Sequence, residues 1–444
     1  MRSISRIFAL IALHLLTLSS AWAVPEIQLW HTGNGAKVLF VEAPDLPMLD
    51  VRVVAAAGSA RDGERPGLAT LTNGMLTQGA GEWSADEIAE RLDDVGADLD
   101  VGALRDMAWV SVRTLTRAPA LDTALDTLAV VLAQPRFDQA DFERERQTTL
   151  IGLSLSEQKP GSVGQKALYR RIYGDHPYAS YPSGTEEAVK ALTREDLQAF
   201  HQRYYVGKNT VLAMVGALTR EQAEQVAERV LGGLPAGAAA PALPPVPVLQ
   251  QEVTERLAFP STQTHIYAGQ PGMRRGDPDY FPLYVGNHIL GGSGLVSLLM
   301  EEVREKRGLS YSVYSYFLPM YELGPFMMGL QTKNAQAKEA GEVLMETVRR
   351  FVETGPSEEE LTAAKQNITG GFPLRIASNQ KVVQYLAMIG FYNLPLDWLN
   401  RFNERVEAVS VAQIQDAFRR RVHPERFAVV IVGPDDERVA QAIE

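Results

Sequence analysis

The sequence predicts an α+β protein of two homologous α/β-sandwich lobes, each a largely antiparallel sheet covered by helices. Three observations carry that expectation. The chain has 444 residues, too many for one ordinary core. An uncharged stretch rich in Pro, Gly and Ala lies near its middle. One pattern of segments occurs once on each side of that stretch.

The middle stretch runs from Leu231 to Val248 and reads as a semi-extended linker. It divides the chain into an N-terminal lobe at 24–232, a linker at 233–250 and a C-terminal lobe at 251–444. The first lobe ends with Thr193-Arg-Glu-Asp-Leu197, a helical stretch to Tyr205 and the apolar run Thr210–Gly216. The second ends with Ser410-Val-Ala-Gln-Ile414, a helical stretch to Val422 and the run Phe427–Gly433. Thr193 and Ser410 read as helix N-caps, and Gly216 and Gly433 each close a strand.

Within the first lobe, Val38–Glu42, Asp50–Ala57 and Met107–Leu115 alternate as strands, while Gly67–Leu76, Ala85–Val95, Leu121–Ala133 and Asp138–Glu157 read as helices. Strands and helices without strict alternation favour an α+β sandwich over a parallel doubly wound sheet. In the second lobe Leu298–Arg307 reads as a helix stopped by Gly308, followed by a strand over Ser310–Phe317. The run Gly291-Gly292-Ser293-Gly294 lacks the Lys that a phosphate-cradling loop needs and reads as a tight turn.

At the N-terminus, Arg2 and Arg6 precede an apolar run from Ile7 to Leu18 and the small-x-small triplet Ala21-Trp22-Ala23. This is the form of a signal peptide over residues 1–23. With no cysteine anywhere in the chain, disulfides and thiolate metal sites are excluded, and the expected address is a bacterial periplasm. No later stretch approaches the roughly 18 apolar residues of a membrane span, so no stable membrane anchor is expected. A net charge of −11 argues against nucleic acid as a partner.

Ala57 through Gly79, Asp175-His-Pro-Tyr178 with Gly184-Thr-Glu-Glu, and Leu290-Gly-Gly-Ser-Gly followed by Glu302-Val-Arg304-Glu-Lys-Arg-Gly308-Leu-Ser-Tyr311 resemble segments of the pitrilysin/insulinase family of zinc peptidases. The resemblance implies two stacked lobes enclosing a peptide-binding cavity. In catalytic members of that family a helix carries His-x-x-Glu-His, whose i, i+3 and i+4 positions share one face, so that the two histidines hold zinc and the Glu activates its water. Here the matching positions hold Thr70, Asn73 and Gly74. A hydroxyl is a poor neutral ligand, an amide cannot accept a proton, and glycine has no side chain. The family's third ligand falls near Leu150-Ile151-Gly152, where no carboxylate stands. His31, His176, His201, His265, His288 and His423 are scattered with no helical pairing. The expectation is that this chain holds no metal.

The resemblance also implies a substrate-binding Arg and Tyr about seven residues apart in the C-terminal lobe, and Arg304 and Tyr311 match them. A guanidinium offers forked donors to peptide carbonyls, and a phenol can donate to an oxyanion. The residue pattern alone leaves a second reading open. Tyr311 alternates with Leu309 and Val313 as a core tyrosine would, and Arg304 sits among Glu301, Glu302, Glu305, Lys306 and Arg307 as on a solvated face. Some family members divide the work of a processing peptidase between a chain with the zinc motif and one with only the Arg/Tyr pair. By that resemblance this chain is the non-zinc subunit. It is expected to pair with a zinc-motif-bearing paralogue and to hold an unfolded peptide for it. The alternatives are a catalytically silent structural subunit and a periplasmic peptide-binding protein.

Overall fold

A computed structural model describes residues 26–434. The signal-peptide reading of residues 1–23 falls outside them. Strands β1 (Gln28–His31), β2 (Lys37–Glu42), β3 (Met48–Ala55), β4 (Asp98–Ala103), β5 (Ala108–Leu115) and β6 (Thr210–Gly216) form one sheet in the order β1-β2-β6-β3-β5-β4. Strands β7 (Val253–Ala258), β8 (Gln263–Met273), β9 (Ser310–Phe317), β10 (Gly324–Lys333) and β11 (Ala428–Gly433) form the second, in the order β7-β11-β8-β10-β9. Without β1 the two orders are the same, position for position. Each has one parallel pair, β2 with β6 and β7 with β11, and is otherwise antiparallel. The repeat visible in the sequence is therefore a repeat of topology.

The helices of the first half are α1 (Leu68–Met75), α2 (Ala85–Asp93), α3 (Ala120–Ala133), α4 (Gln139–Glu157), α5 (Pro160–Tyr173), α6 (Glu186–Ala191), α7 (Arg194–Tyr204) and α8 (Arg220–Leu231). Those of the second are α9 (Tyr280–Asn287), α10 (Ala337–Thr354), α11 (Glu358–Arg375), α12 (Asn379–Phe391), α13 (Phe402–Glu407) and α14 (Val411–Arg421). Thr193 and Ser410 cap α7 and α14 in matching capping boxes, each accepting from the backbone N–H three residues on. No helix or strand lies between Leu231 and Val253. Among the described residues, no helix is long and apolar enough to cross a membrane.

Strand β6 is buried along its whole length, and so is β11. A strand that is apolar at every position needs cover on both faces of its sheet. In β6, Leu212 and Met214 join the core built by α1, α3, α7 and α8. Val211, Ala213 and Val215 face the other way and join the core of the second lobe. Their cover is α12, which packs on β6, β3 and β2. The reciprocal arrangement holds for β11, where Ala428, Val430 and Val432 pack against Ala167, Leu168 and Ile172 of α5. Each half of the chain thus donates one helix to the other half's sheet. A glycine permits each close approach. A Cβ at Gly164 of α5 would fall 2.4 Å from the Tyr267 ring, and one at Gly390 of α12 would fall 2.5 Å from Leu39. Division at the linker leaves both α5 and α12 in the half whose sheet they do not cover.

The structure departs from the sequence reading at two further places. β4 was not expected, because its acids and glycine (Asp98, Asp100, Gly102) belong to an edge strand with one solvated face. The helix read over Leu298–Arg307 narrows to Met300–Glu305, a wide turn in which the Lys306 N–H reaches the Glu301 carbonyl five residues back. Gly308 ends it with φ of 62°, as a C′ glycine should.

Candidate functional site

Helix α1 starts at Gly67, whose φ of 99° requires glycine. The Asp62 carboxylate accepts from the Gly67 and Ala69 N–H groups, both at 2.8 Å, and so satisfies two donors of the first turn. Burial pushes the Asp62 carboxyl up to about 7 against the opposing pull of those two bonds. On α1, the Thr70 hydroxyl donates to the Pro182 carbonyl at 2.6 Å. The Asn73 amide donates to the Trp109 carbonyl at 3.2 Å and the Tyr205 hydroxyl at 3.1 Å, while its own carbonyl oxygen is buried without a partner. A Cβ at Gly74 would meet nothing within 4 Å, and the same is true at Gly152.

These residues do not fit a zinc ion. Thr70 and Asn73 are engaged as donors, Gly74 presents nothing, and no cluster of three His, Cys, Asp or Glu side chains that could hold a metal occurs among the described residues. Two histidines have structural roles. His176 bonds through Nε2 to the Pro244 carbonyl and accepts the Tyr178 N–H on Nδ1. His201 bonds through Nε2 to the Leu132 carbonyl. Burial lowers the pKa of both, favouring neutral rings.

Arg304 and Tyr311 come together. The Arg304 guanidinium carbon lies 4.7 Å from the centre of the Tyr311 ring, a cation–π contact. Tyr311 is 79% exposed, which removes the core-tyrosine reading. The reason is a bulge. Leu330 pairs with Val313 but Thr332 pairs with Ser310, so Tyr311 and Ser312 together oppose the single residue Gln331. The Ser310 hydroxyl fixes this irregularity by donating to the Gln331 carbonyl at 2.7 Å and accepting the Ser312 N–H at 3.2 Å. Alternation restarts after it, turning Tyr311 outward and Val313 inward. Simple counting along the strand cannot see such a shift.

Both side chains line a cavity of about 720 Å³. Its wall comes from residues 273–319: edge strand β9, the end of α9, the glycine-rich turn and the wide turn before Gly308. Gly291 in that turn sits so close to β9 that a Cβ would fall 2.6 Å from the Ser315 nitrogen, which explains the glycine without any phosphate. Thr70, Asn73 and Gly74 do not belong to this wall. Exposed Leu295 lines the cavity, and no sequence pattern marked it. Phe391 and Trp398 are buried in the core, while Tyr321 is half-exposed at the junction of the lobes.

That junction turns on Asp106, in the loop between β4 and β5. Its carboxylate accepts from the Tyr178 hydroxyl, the Tyr321 N–H at 2.7 Å and the Tyr392 hydroxyl at 2.9 Å. The Tyr178 hydroxyl in turn accepts the Glu322 N–H at 3.1 Å. Burial holds the Asp106 carboxyl above its ordinary range, against the pull of its hydrogen bonds. The segment Asp175-His-Pro-Tyr178 therefore supplies part of a tie between the lobes. Asp106 itself reads in the sequence as an ordinary loop acid.

Comparison with known proteins agrees with the geometry. Residues 37–186 match the family model described as insulinase (peptidase family M16), and residues 191–368 match the one described as the peptidase M16 inactive domain. The second match begins in the first lobe and crosses the linker. A crystal structure described as the peptidase M16 inactive domain from Pseudomonas fluorescens superposes with a TM-score of 0.90 at 38% identity, covering 92% of this chain and 98% of that one. Among curated proteins, an uncharacterized zinc protease, YmxG, of Bacillus subtilis is 24% identical over 90% of this chain and 97% of its own length. A non-peptidase homolog, YmxG, of Helicobacter pylori is 26% identical over 89% and 92%.

Proposed function

The chain belongs to the insulinase family, peptidase family M16, and from that footing we propose that it is the subunit of a two-chain peptidase that grips peptide without holding metal. The match to the inactive-domain model and the engaged, ligand-poor residues of α1 support a catalytically inactive member. The observation that carries the finer reading is Arg304 lying over the exposed Tyr311 ring at the wall of a cavity along β9. The ring orients the guanidinium, whose forked N–H groups suit peptide carbonyls, and the Tyr311 hydroxyl bonds to no group among the described residues. β9 is the last strand of its sheet, so an extended peptide can add to it backbone to backbone. In this reading a paralogue with the intact zinc motif completes the enzyme, and both chains are exported to the periplasm.

The test is peptide hydrolysis by the mature chain, alone and mixed with its zinc-motif paralogue, using wild type and Tyr311→Phe, with zinc quantified in every sample. We expect a metal-free chain that is inactive alone. The mixture should be active, and Tyr311→Phe should lower its kcat tenfold or more, as loss of an oxyanion donor does. A mixture indifferent to Tyr311→Phe would make the chain a structural subunit. Zinc-dependent activity in the chain alone would overturn the reading of α1.

A further inference from the structure

A second cavity, of about 490 Å³, lies where the two lobes and the linker meet. Its size is within the range of small-molecule sites. Four cationic side chains reach it: Lys37 on β2, Arg61 after β3, Lys208 before β6 and Arg274 after β8. Glu322 shares the wall but is engaged by Arg274. The Lys37 ammonium donates to the Gly390 carbonyl at 2.9 Å and to the Asn393 side chain, both neutral, so its charge is not compensated.

Arg61 is the informative residue. It is half-buried, yet among the described residues its guanidinium makes no hydrogen bond or ion pair. The buried acid Asp106 contributes to its electrostatic environment but is already committed to Tyr178, Tyr321 and Tyr392. A guanidinium taken partly out of water without an anion is unfavourable, and burial lowers its pKa accordingly. The Lys208 ammonium is likewise unpaired among the described residues, and its stem lies against Gly35. In a chain of net charge −11, this local excess of positive charge stands apart.

The wall is also built rather than incidental. Asn209 donates to the Tyr204 carbonyl at 2.7 Å and accepts the Ala240 N–H at 2.8 Å, pinning the linker across the mouth. The Gly207 and Lys208 N–H groups donate to the Pro235 and Ala236 carbonyls at 2.8 and 3.0 Å. A ligand here would touch both lobes and the linker at once.

We propose that this cavity binds a small oxyanion, a carboxylate or phosphate group, between Arg61, Lys208 and Lys37. Two sources share that chemistry: a free phosphate compound and the terminal α-carboxylate of a peptide. The experiment is calorimetric titration of the whole mature chain at about 50 mM salt with pyrophosphate, and separately with a short peptide bearing either a free or an amidated C-terminus. Wild type should bind pyrophosphate, or the free-acid but not the amidated peptide, and whichever ligand binds identifies the source. Arg61→Gln and Lys208→Gln should each weaken binding about tenfold, the scale of one lost charge-assisted contact. Lys208 is exposed, so its variant reports binding even where Arg61→Gln disturbs the fold. Absence of binding to wild type up to 10 mM of either ligand, or equal binding by wild type and both variants, would overturn the proposal.

Discussion

The Asn73 side chain donates to the Tyr205 hydroxyl at 3.1 Å, joining the position of the family's catalytic carboxylate to a tyrosine buried in the core of the first lobe. The amide has become part of the packing. Tyr205→Phe should cost about 1 kcal/mol of stability, the net worth of one buried hydrogen bond. Asn73→Asp should cost about 3 kcal/mol, because it buries a carboxylate against the Trp109 carbonyl oxygen. Urea unfolding of the two variants checks the order, and the Asn73→Asp deficit should shrink in acid as the new carboxyl takes up a proton.

Rebuilding the motif should not rebuild the metal site. Thr70→His, Asn73→Glu and Gly74→His combined supply at most two zinc ligands and a base, with no carboxylate at Leu150-Ile151-Gly152 to complete the set. The triple variant is expected to leave gel filtration with less than one tenth of an equivalent of zinc by elemental analysis. Stoichiometric zinc would mean that another side chain reaches the site.

Tyr311 and Arg304 should be separable from stability. Tyr311 is 79% exposed and Arg304 contacts Glu305 at 3.4 Å on the surface, so Tyr311→Ala and Arg304→Ala should each change unfolding free energy by less than about 0.5 kcal/mol. In the assembled enzyme both should lower kcat/KM, with Arg304→Ala acting mainly on KM. A large stability loss would return Tyr311 to a packing role.

The folded-state pKa of Asp62 lies above its ordinary carboxylate value, near 7. The folded protein therefore binds the proton more tightly than the unfolded chain, and the associated stabilisation is present in acid and lost as pH rises from about 4 to about 7. Asp62→Asn should remove this slope from the stability-versus-pH curve. The variant should also be less stable in acid, since the Gly67 and Ala69 N–H groups bond to different carboxylate oxygens and the amide puts an NH2 in place of one of them. An unchanged slope would place the Asp62 carboxyl near its unfolded value.

The helix exchange makes its own prediction. Gly164→Ala and Gly390→Ala introduce methyl groups 2.4 and 2.5 Å from Tyr267 and Leu39, and each should cost about 2 kcal/mol, measured by thermal or urea unfolding. Residues 26–232 and 251–434, expressed separately, should aggregate, and together should form a folded complex visible by size-exclusion chromatography.

Much of this fold was legible because the two halves repeat the same local signals. Thr193 and Ser410 announce equivalent helices, and the runs ending at Gly216 and Gly433 announce equivalent central strands. The continuous apolar character of β6 also required a second covering layer, but nothing in a local pattern says that the layer comes from residues 379–391. The Arg304 and Tyr311 pair was legible from its resemblance to a known motif. The bulge that exposes Tyr311 was not, since it depends on cross-strand register with β10. Asp106 was invisible for the same kind of reason: its partners lie more than 70 residues away.

The crossed placement of α5 and α12 sets an order of events during synthesis. Until residue 391 has emerged, the face of the first sheet carrying Leu39, Val211 and Val215 has nothing to rest against, although every strand of that sheet is complete by Gly216. For some 175 residues of elongation the nascent chain would carry an adhesive apolar surface, the condition under which incomplete domains aggregate. A chain wired in this way gains from staying unfolded until its last helices are available. Covering the first sheet therefore waits on residues 379–391, and completing the second waits on Ala428–Gly433.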